Sequence, residues 1–258
     1  RWGADRVFIA GDTVNRGPRP AACFDLVSER VAQQGWQLIR GNHESYVIWH
    51  DHPDSPRSGP LFEIFRYSHW TYQKLRAELP TLKAMPNQIS QAIPGGEFRV
   101  VHASMRGERR GIYPEMDDAT LGKLAAPAPT VLAVGHTHRP LVRRVGPCLI
   151  VNAGSVGLPF DGDQRAGYAQ IMLQEGGWNA EIVRLSYDIA QAEADFYETG
   201  FLQQAGPLAN LILLELKLSY SQLHDWIETY MDPILAGDIS VEQAVRDHLE
   251  DPITSPYW

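Results

Sequence analysis

Cysteine is nearly absent from this chain. Cys23 and Cys148 are the only two in 258 residues, too few for a disulfide framework or a thiolate zinc cluster. Cys23 falls on a helical pattern and Cys148 enters an apolar run, so both are expected to be buried, reduced thiols. Long hydrophobic runs are also missing. The longest, around Leu208 to Leu218, is interrupted by Glu215 and Lys217 and falls well short of the ~20 apolar residues that span a bilayer. Basic residues are in deficit, with a net charge of −8 and a pI near 5.6, which argues against a stable nucleic-acid complex. The first residues as given show no signal-peptide pattern, and there is no internal repeat or low-complexity tract. The expected setting is cytoplasmic, without a membrane. An acidic balance still admits an anionic substrate, because a bound divalent cation reverses the local field.

What is present is ordinary for a globular protein: 44% hydrophobic and 21% charged residues, enough for one large core with a small appended unit. Arg6 to Ala10 is a short apolar run ending at Gly11-Asp12, as a buried parallel strand would. A helix is expected from Pro20, with Phe24, Val27 and Val31 on one face and Gly35 as terminator. Gln37 to Arg40 follows as a second strand. Strand, helix, strand in this order implies a right-handed crossover and a parallel sheet. Residues 45–97 change character: Pro53, Pro56 and Pro60 break the chain, and Leu61 to Leu79 carries a helical pattern dense in aromatics. Strands are expected again at Phe98–His102, Thr130–Val134, Leu149–Val151, Tyr168–Leu173 and Glu181–Leu185, in a mixed or antiparallel arrangement. From Asp188 the pattern is helical. Ser240 to Gln243 forms a capping box opening a helix that Asp251-Pro252 stops, with Val241, Ala244, Val245 and Leu249 on one side. Ser219 with Gln222 repeats the signal less clearly. This tail is suited to packing or to self-association as a homo-oligomer.

Four short motifs stand at the ends of expected strands: Gly11-Asp12-Thr-Val-Asn-Arg16, Gly41-Asn42-His43-Glu44, Val101-His102-Ala103 and Gly135-His136-Thr-His138. In open α/β sheets the C-terminal strand edge is where ligands bind. A carboxylate such as Asp12 can bridge two cations, while neutral imidazoles and an amide oxygen complete the shells without excess negative charge. A set of His and oxygen donors suits Zn, Mn, Fe or Ni. Two such ions roughly 3.5–4 Å apart can polarise a phosphoryl group and activate a hydroxide.

At these residues the sequence resembles the calcineurin-like metallophosphoesterase superfamily over about residues 5–186. The resemblance implies an α/β (α+β type) fold, a four-layer α/β/β/α sandwich in residues 1–186. Residues 45–97 are then a helical cap or insert, and residues 187–258 a helical C-terminal extension. It implies a hydrolase using a metal-activated hydroxide, acting on a phosphomonoester, phosphodiester or dinucleoside polyphosphate. The substrate would be a small molecule, a nucleotide or a phosphoprotein. Carried over residue by residue, Asp12 would bridge the two metals. Asn42, His102 and His136 would complete one shell, and His138 would bind the other ion. His43 would be the catalytic histidine, stabilising the transition state or protonating the leaving oxygen. The Asp12-to-Gly17 and Arg40-to-Glu44 stretches look like Ser/Thr phosphatases and symmetric diadenosine tetraphosphatases, where the arginine matching Arg16 grips phosphate. The Gly-His-Thr-His-Arg-Pro element looks more like small bacterial phosphodiesterases. Val151-Asn-Ala-Gly-Ser-Val-Gly-Leu158 resembles the family's Asn-Pro-Gly-Ser motif near the site, with Ala153 in place of Pro, and is read as structural backing. Arg106, Arg109 and Arg110 are read as a solvated loop, and His50, His52 and His69 as part of the cap. The alternative is a non-catalytic scaffold on the same fold. Family members also carry an Asp-x-His motif on an earlier strand. No Asp-x-His occurs in these 258 residues and the chain opens on Arg1. The expectation is therefore an upstream strand and helix of about 20–30 residues supplying the remaining ligands.

Overall fold

A computed structural model describes residues 2–255. Its first strand, β1 (Phe8–Ile9), leads through α1 (Pro20–Gln34) to β2 (Gln37–Leu38). β1 and β2 pair in parallel, as a strand–helix–strand unit requires. Pro20 opens α1, and Gly35 closes it in the left-handed region at φ 68°, where a side chain would be strained. Four short helices follow: α2 (Asn42–Trp49), α3 (Pro60–Ile64), α4 (Arg66–Lys74) and α5 (Leu79–Ala84).

The central sheet comes from β3 (Gln88–Ile93), β4 (Gly96–Val101), β5 (Val131–Val134), β6 (Leu141–Val145) and β7 (Cys148–Asn152), with α6 (Asp118–Ala125) between β4 and β5. Its order is β3-β4-β5-β7-β6, parallel in the middle and antiparallel at both edges. Strand alternation divides the side chains between two cores. Val101, Leu132, Val134, Cys148 and Ile150 face α6. Phe98, Val100, Val131, Leu149 and Val151 face the opposite way. There they meet Phe8, Ala10 and Ile39 of the β1–β2 unit, and Ala169, Ile171, Trp178 and Ala180 of an antiparallel hairpin, β8 (Ala166–Gln174) and β9 (Gly177–Leu185). With this face of the β1–β2 pair covered, the crossover helix α1 lies outside it. The order α6, five-stranded sheet, paired short sheets, helices is the expected α/β/β/α stack.

The tail folds as α7 (Ile189–Glu198), α8 (Phe201–Gln204), α9 (Ala209–Leu218), α10 (Leu223–Ala236) and α11 (Val241–Glu250). It shares one core with the aromatic helices: Ile64, Tyr67 and Trp70 pack with Phe201, Leu208, Leu211, Leu223 and Trp226. Tail and insert are thus one helical body. Among the described residues no helix is long and apolar enough to cross a membrane.

Several expectations need correction. β3 lies inside the stretch read as helical, because its alternating half-buried pattern is that of a sheet edge rather than of a cap. β6 went unread, since Arg143 and Arg144 hide its alternation. Cys23 is exposed and Val31 is too, because α1 buries only a narrow stripe around Phe24. Leu249 is exposed while His248 is buried in its place. Ser240 caps α11 through Gln243 N–H, but Ser219 caps nothing. It ends α9 in the left-handed region at φ 55°, and Glu215 takes the amides at the start of α10.

His50 is fully buried in the insert beside His69, and its Nε2 has no hydrogen-bond partner. Burial, then His69 and Arg57, push its pKa down to about 4. An unfolded chain takes up this proton near the ordinary 6.5, so His50 favours folding fully above that pH and progressively less down to about 4. The unfolding free energy of the wild type, read from urea titrations, should fall over that window more than that of His50→Gln, by about 1–3 kcal/mol. Parallel pH profiles would contradict this.

Candidate active site

The motif residues converge where the ends of β1, β2, β4 and β5 meet. Two glycines permit the approach of the first two loops. A Cβ on Gly11, whose φ is +86°, would come within 2.5 Å of Gly41 N, and one on Gly41 would overlap the Asp12 carboxylate. Six non-glycine residues among those described have positive φ, and five of them belong here: Asp12, Asn15, Arg16, His136 and His138. Left-handed backbone at non-glycine positions costs energy that the surroundings must hold in place.

Glu44 does much of that holding. It is fully buried and stands three residues after the helix-capping position Gly41. Its Oε2 accepts from Gly41 N–H (2.7 Å) and Asp12 N–H (2.9 Å), and its Oε1 from Thr13 N–H (2.6 Å) and Val14 N–H (3.3 Å). Burial, then the Asp12 charge, raise the Glu44 carboxyl, and these amide bonds act against the shift. Four donors on two oxygens leave no place for a proton. Glu44 stands in the Gly41-to-Glu44 motif, and its spacing of three from Gly41 is the sequence signal for this role.

Asp12, His102 and His136 bring one ligand atom each within 4.8 Å of one another. Asn42 Oδ1 lies 2.8 Å from His102 Nε2 and 2.9 Å from His136 Nδ1. His102 Nδ1 sits 2.6 Å from the Ala10 carbonyl and donates to it, so in a neutral ring Nε2 carries a lone pair. That lone pair faces Asn42 Oδ1 and Asp12 Oδ2, the latter 3.2 Å away. Asp12 Oδ2 is buried without a hydrogen-bond partner. Acceptors facing one another require a cation between them, either a proton or a metal ion. The titration of His102 points the same way: burial lowers its pKa, but Asp12 and the Ala10 carbonyl outweigh burial and raise it. Burial also works to raise Asp12, yet His43 and His102 hold it well below the usual carboxylate range. The residues present therefore fit a divalent cation.

His138 stands outside that tight group. Its Nδ1 donates to the Leu158 carbonyl at 2.6 Å and its ring stacks on Phe160, leaving Nε2 as the free donor atom. Burial, helped by His102 at His136 and by Arg16 at His138 and opposed at both by Asp12, pushes their pKa down to about 4, so both offer neutral imidazoles. Asn152 braces the loop that carries them, donating to Gly135 O (2.8 Å) and Thr137 Oγ1 (2.9 Å). This is the kind of backing expected of the 151–158 motif.

His43 is buried, and its Nδ1 receives the Asn15 amide at 2.9 Å. Thr71 Oγ1 lies 3.3 Å from Asn15 Oδ1 and also 3.3 Å from the Tyr67 carbonyl, two acceptors within reach of its one proton. Burial, then Arg16 and the neighbouring histidines, depress His43 well below its ordinary pKa despite Asp12. With Nδ1 accepting the Asn15 amide, a neutral ring carries its proton on Nε2. Asn15 and Thr71 were missed by sequence reasoning, and Thr71 gave no signal. Arg16 follows on the same loop with its Nε buried and unpartnered. Arg106, Arg109 and Arg110 are exposed; Arg109 lies over the Tyr46 ring at 4.7 Å. His52 is exposed, and His69 packs against Phe62 and Tyr72.

Glu44→Gln should test the bracing role. It turns one acceptor into a donor facing amide N–H groups, so unfolding free energy should drop by about 1–3 kcal/mol or more, together with retained divalent metal. Unchanged denaturation and metal content would contradict the role.

Residues 2–176 match the family model described as the calcineurin-like phosphoesterase superfamily domain. A metallophosphoesterase from Sphaerobacter thermophilus is 28% identical, with TM-score 0.61 over 84% of this chain and 90% of its own. Hypothetical protein PH1004 from Pyrococcus horikoshii OT3 shares the fold at 17% identity, with TM-score 0.67 over 85% of this chain and 86% of its own. The uncharacterized protein MJ0912 of Methanocaldococcus jannaschii is 28% identical over 210 residues, 74% of this chain and 79% of its own length. With the family match spanning well over half its length, the chain belongs to the calcineurin-like phosphoesterase superfamily, whose general chemistry is metal-dependent hydrolysis of phosphate esters.

Proposed function

We propose that this protein is an active phosphoesterase hydrolysing phosphomonoesters or phosphodiesters, nucleotides and dinucleoside polyphosphates among them. The observation that supports the reading best is the convergence of Asp12, Asn42, His102 and His136 on a point that calls for positive charge. Asp12, Asn42, His102, His136 and His138 would hold two divalent ions, of which manganese is the first to try. When bound, the ions supply charge to polarise the phosphoryl oxygens and to acidify water.

The protein's own groups do the rest. Arg16, with a buried and unpartnered Nε, grips phosphoryl oxygens through the planar edge of its guanidinium. His43, held by Asn15 with its proton on Nε2, donates a hydrogen bond to the oxygen on which charge develops as the ester bond breaks. Residues 1–186 would be the catalytic unit, and the helices from α7 to α11 an extension packed on α3 and α4.

Turnover of p-nitrophenyl phosphate and bis-p-nitrophenyl phosphate with added Mn²⁺ tests the reading and separates monoesterase from diesterase. Absence of turnover on both, and on a panel of nucleotides and phosphopeptides, would favour the scaffold alternative. His43→Ala should lower kcat by about 10²–10⁴ with metal content intact; an unchanged kcat in the metal-loaded variant contradicts the assignment. Arg16→Ala should lower kcat/KM by about 10- to 100-fold on several phosphate esters, the worth of one hydrogen bond to a charged group. Equal efficiency across those substrates would show that the arginine serves elsewhere.

A further inference from the structure

The guanidinium of Arg16 is held from the far end of the chain. Glu215, on α9, is fully buried, and its Oε2 lies 3.5 Å from Arg16 Nη1 across 199 positions of sequence. Its other oxygen, Oε1, accepts from Gln222 N–H (2.9 Å) and Leu223 N–H (3.0 Å), with Ser221 Oγ at 3.4 Å. These contacts pin the carboxylate to the start of α10. α9 itself is fixed in the shared helical core by Leu211, Ile212, Leu213 and Leu216 on either side of Glu215. The Glu215 carboxylate is therefore a rigid, buried negative charge.

A buried charge without a counter-charge is strongly unfavourable. Capping the start of α10 needs only a hydrogen-bond acceptor, which an uncharged glutamine oxygen would supply. The charge on Glu215 finds its use at Arg16. Burial of Arg16 opposes its charge, and Glu215, ahead of Tyr67, Asp12 and Tyr46, restores it. Glu215 takes only Nη1; Nε, on the other edge of the fork, is buried with no partner, and the Tyr67 hydroxyl is the other side-chain group in reach of the guanidinium. The Nε edge is the one suited to two phosphoryl oxygens.

We infer that Glu215 is a positioning residue for Arg16, and that the C-terminal helical extension is thereby part of the phosphoryl-binding site. The inference rests on the reading of Arg16 as the phosphate grip. Glu215 touches no substrate. It holds the guanidinium against the extension, so that the Nε edge meets the phosphoryl group without first losing side-chain freedom.

A double-mutant cycle tests this, with inorganic phosphate as the probe and calorimetric Kd on the metal-loaded protein as the readout. Glu215→Gln keeps the acceptor for Gln222 and Leu223 and removes the charge. It should weaken phosphate by about 10-fold or more, the scale of a hydrogen bond to a charged group. In an Arg16→Ala background the same change should add nothing further. In the metal-free protein, the Arg16 Nε–H resonance should be resolved in the wild type and broadened by exchange in Glu215→Gln. Wild-type phosphate affinity in Glu215→Gln, beside a weakened Arg16→Ala, would overturn the inference and leave the reading of Arg16 standing. Additive losses in the double variant would also overturn it, by showing a structural effect independent of Arg16. If Arg16→Ala alone binds phosphate as the wild type does, the reading of Arg16 fails and the positioning role with it. Should Glu215→Gln not fold, Glu215→Asp, which keeps the charge but withdraws it by one methylene, enters the same cycle with the same outcomes.

Discussion

The geometry of the site depends on the bonds that the buried Glu44 carboxylate makes to four backbone amides. Two chain segments that end parallel strands must turn sharply and nearly touch, with Asp12 and Asn42 at their tips. Loops of this kind leave amide groups without ladder partners, and unpaired buried amides are costly. Glu44 takes up Gly41, Asp12, Thr13 and Val14 together, while Asp12 Oδ1 accepts from His43 N–H at 2.9 Å. The left-handed residues Asp12, Asn15 and Arg16 are tolerable because this carboxylate fixes the loop that contains them.

From that clasp outward, each chemical group is held by a neighbour of a different kind. His102 is oriented by the Ala10 carbonyl and His138 by the Leu158 carbonyl. His43 is oriented by the Asn15 amide, with the Thr71 hydroxyl 3.3 Å from that amide's oxygen. Such supports fix which nitrogen carries the proton and which offers a lone pair. They come from β1, from the loop after β7 and from the aromatic insert. A local change in any of these layers would be felt at the centre. The insert and the tail share a core, and Glu215 from that tail lies 3.5 Å from Arg16.

Much of the site was legible in the sequence because its residues sit at strand ends, where a short apolar run breaks into glycine and then a polar ligand. Gly11-Asp12, Gly41-Asn42, His102 and Gly135-His136 all follow that rule, and their strands appear within two residues of the expected places. The edge strands were harder to see. β3 exposes Gln88, Ser90 and Ala92 between partly buried residues, and β6 sets two adjacent arginines, Arg143 and Arg144, among its leucine and valines. A sheet edge needs one covered face only, so its hydrophobic signal is half as strong. Cys23 illustrates the complementary error: helical periodicity marks a face, but how wide a stripe is covered depends on what packs against it.

Local chemistry thus determined the strand–helix–strand opening, the ligand types and their order, because turn glycines and strand ends act within a few residues. Tertiary structure alone decided which partners complete each group. Thr71 reaches Asn15 from 56 positions away, Asn42 meets His102 across 60, and Glu215 meets Arg16 across 199. No periodicity encodes such pairings. They arise because a buried charge or an unpaired donor must find its counterpart in space, and the packing of distant helices and strands determines which counterpart is within reach.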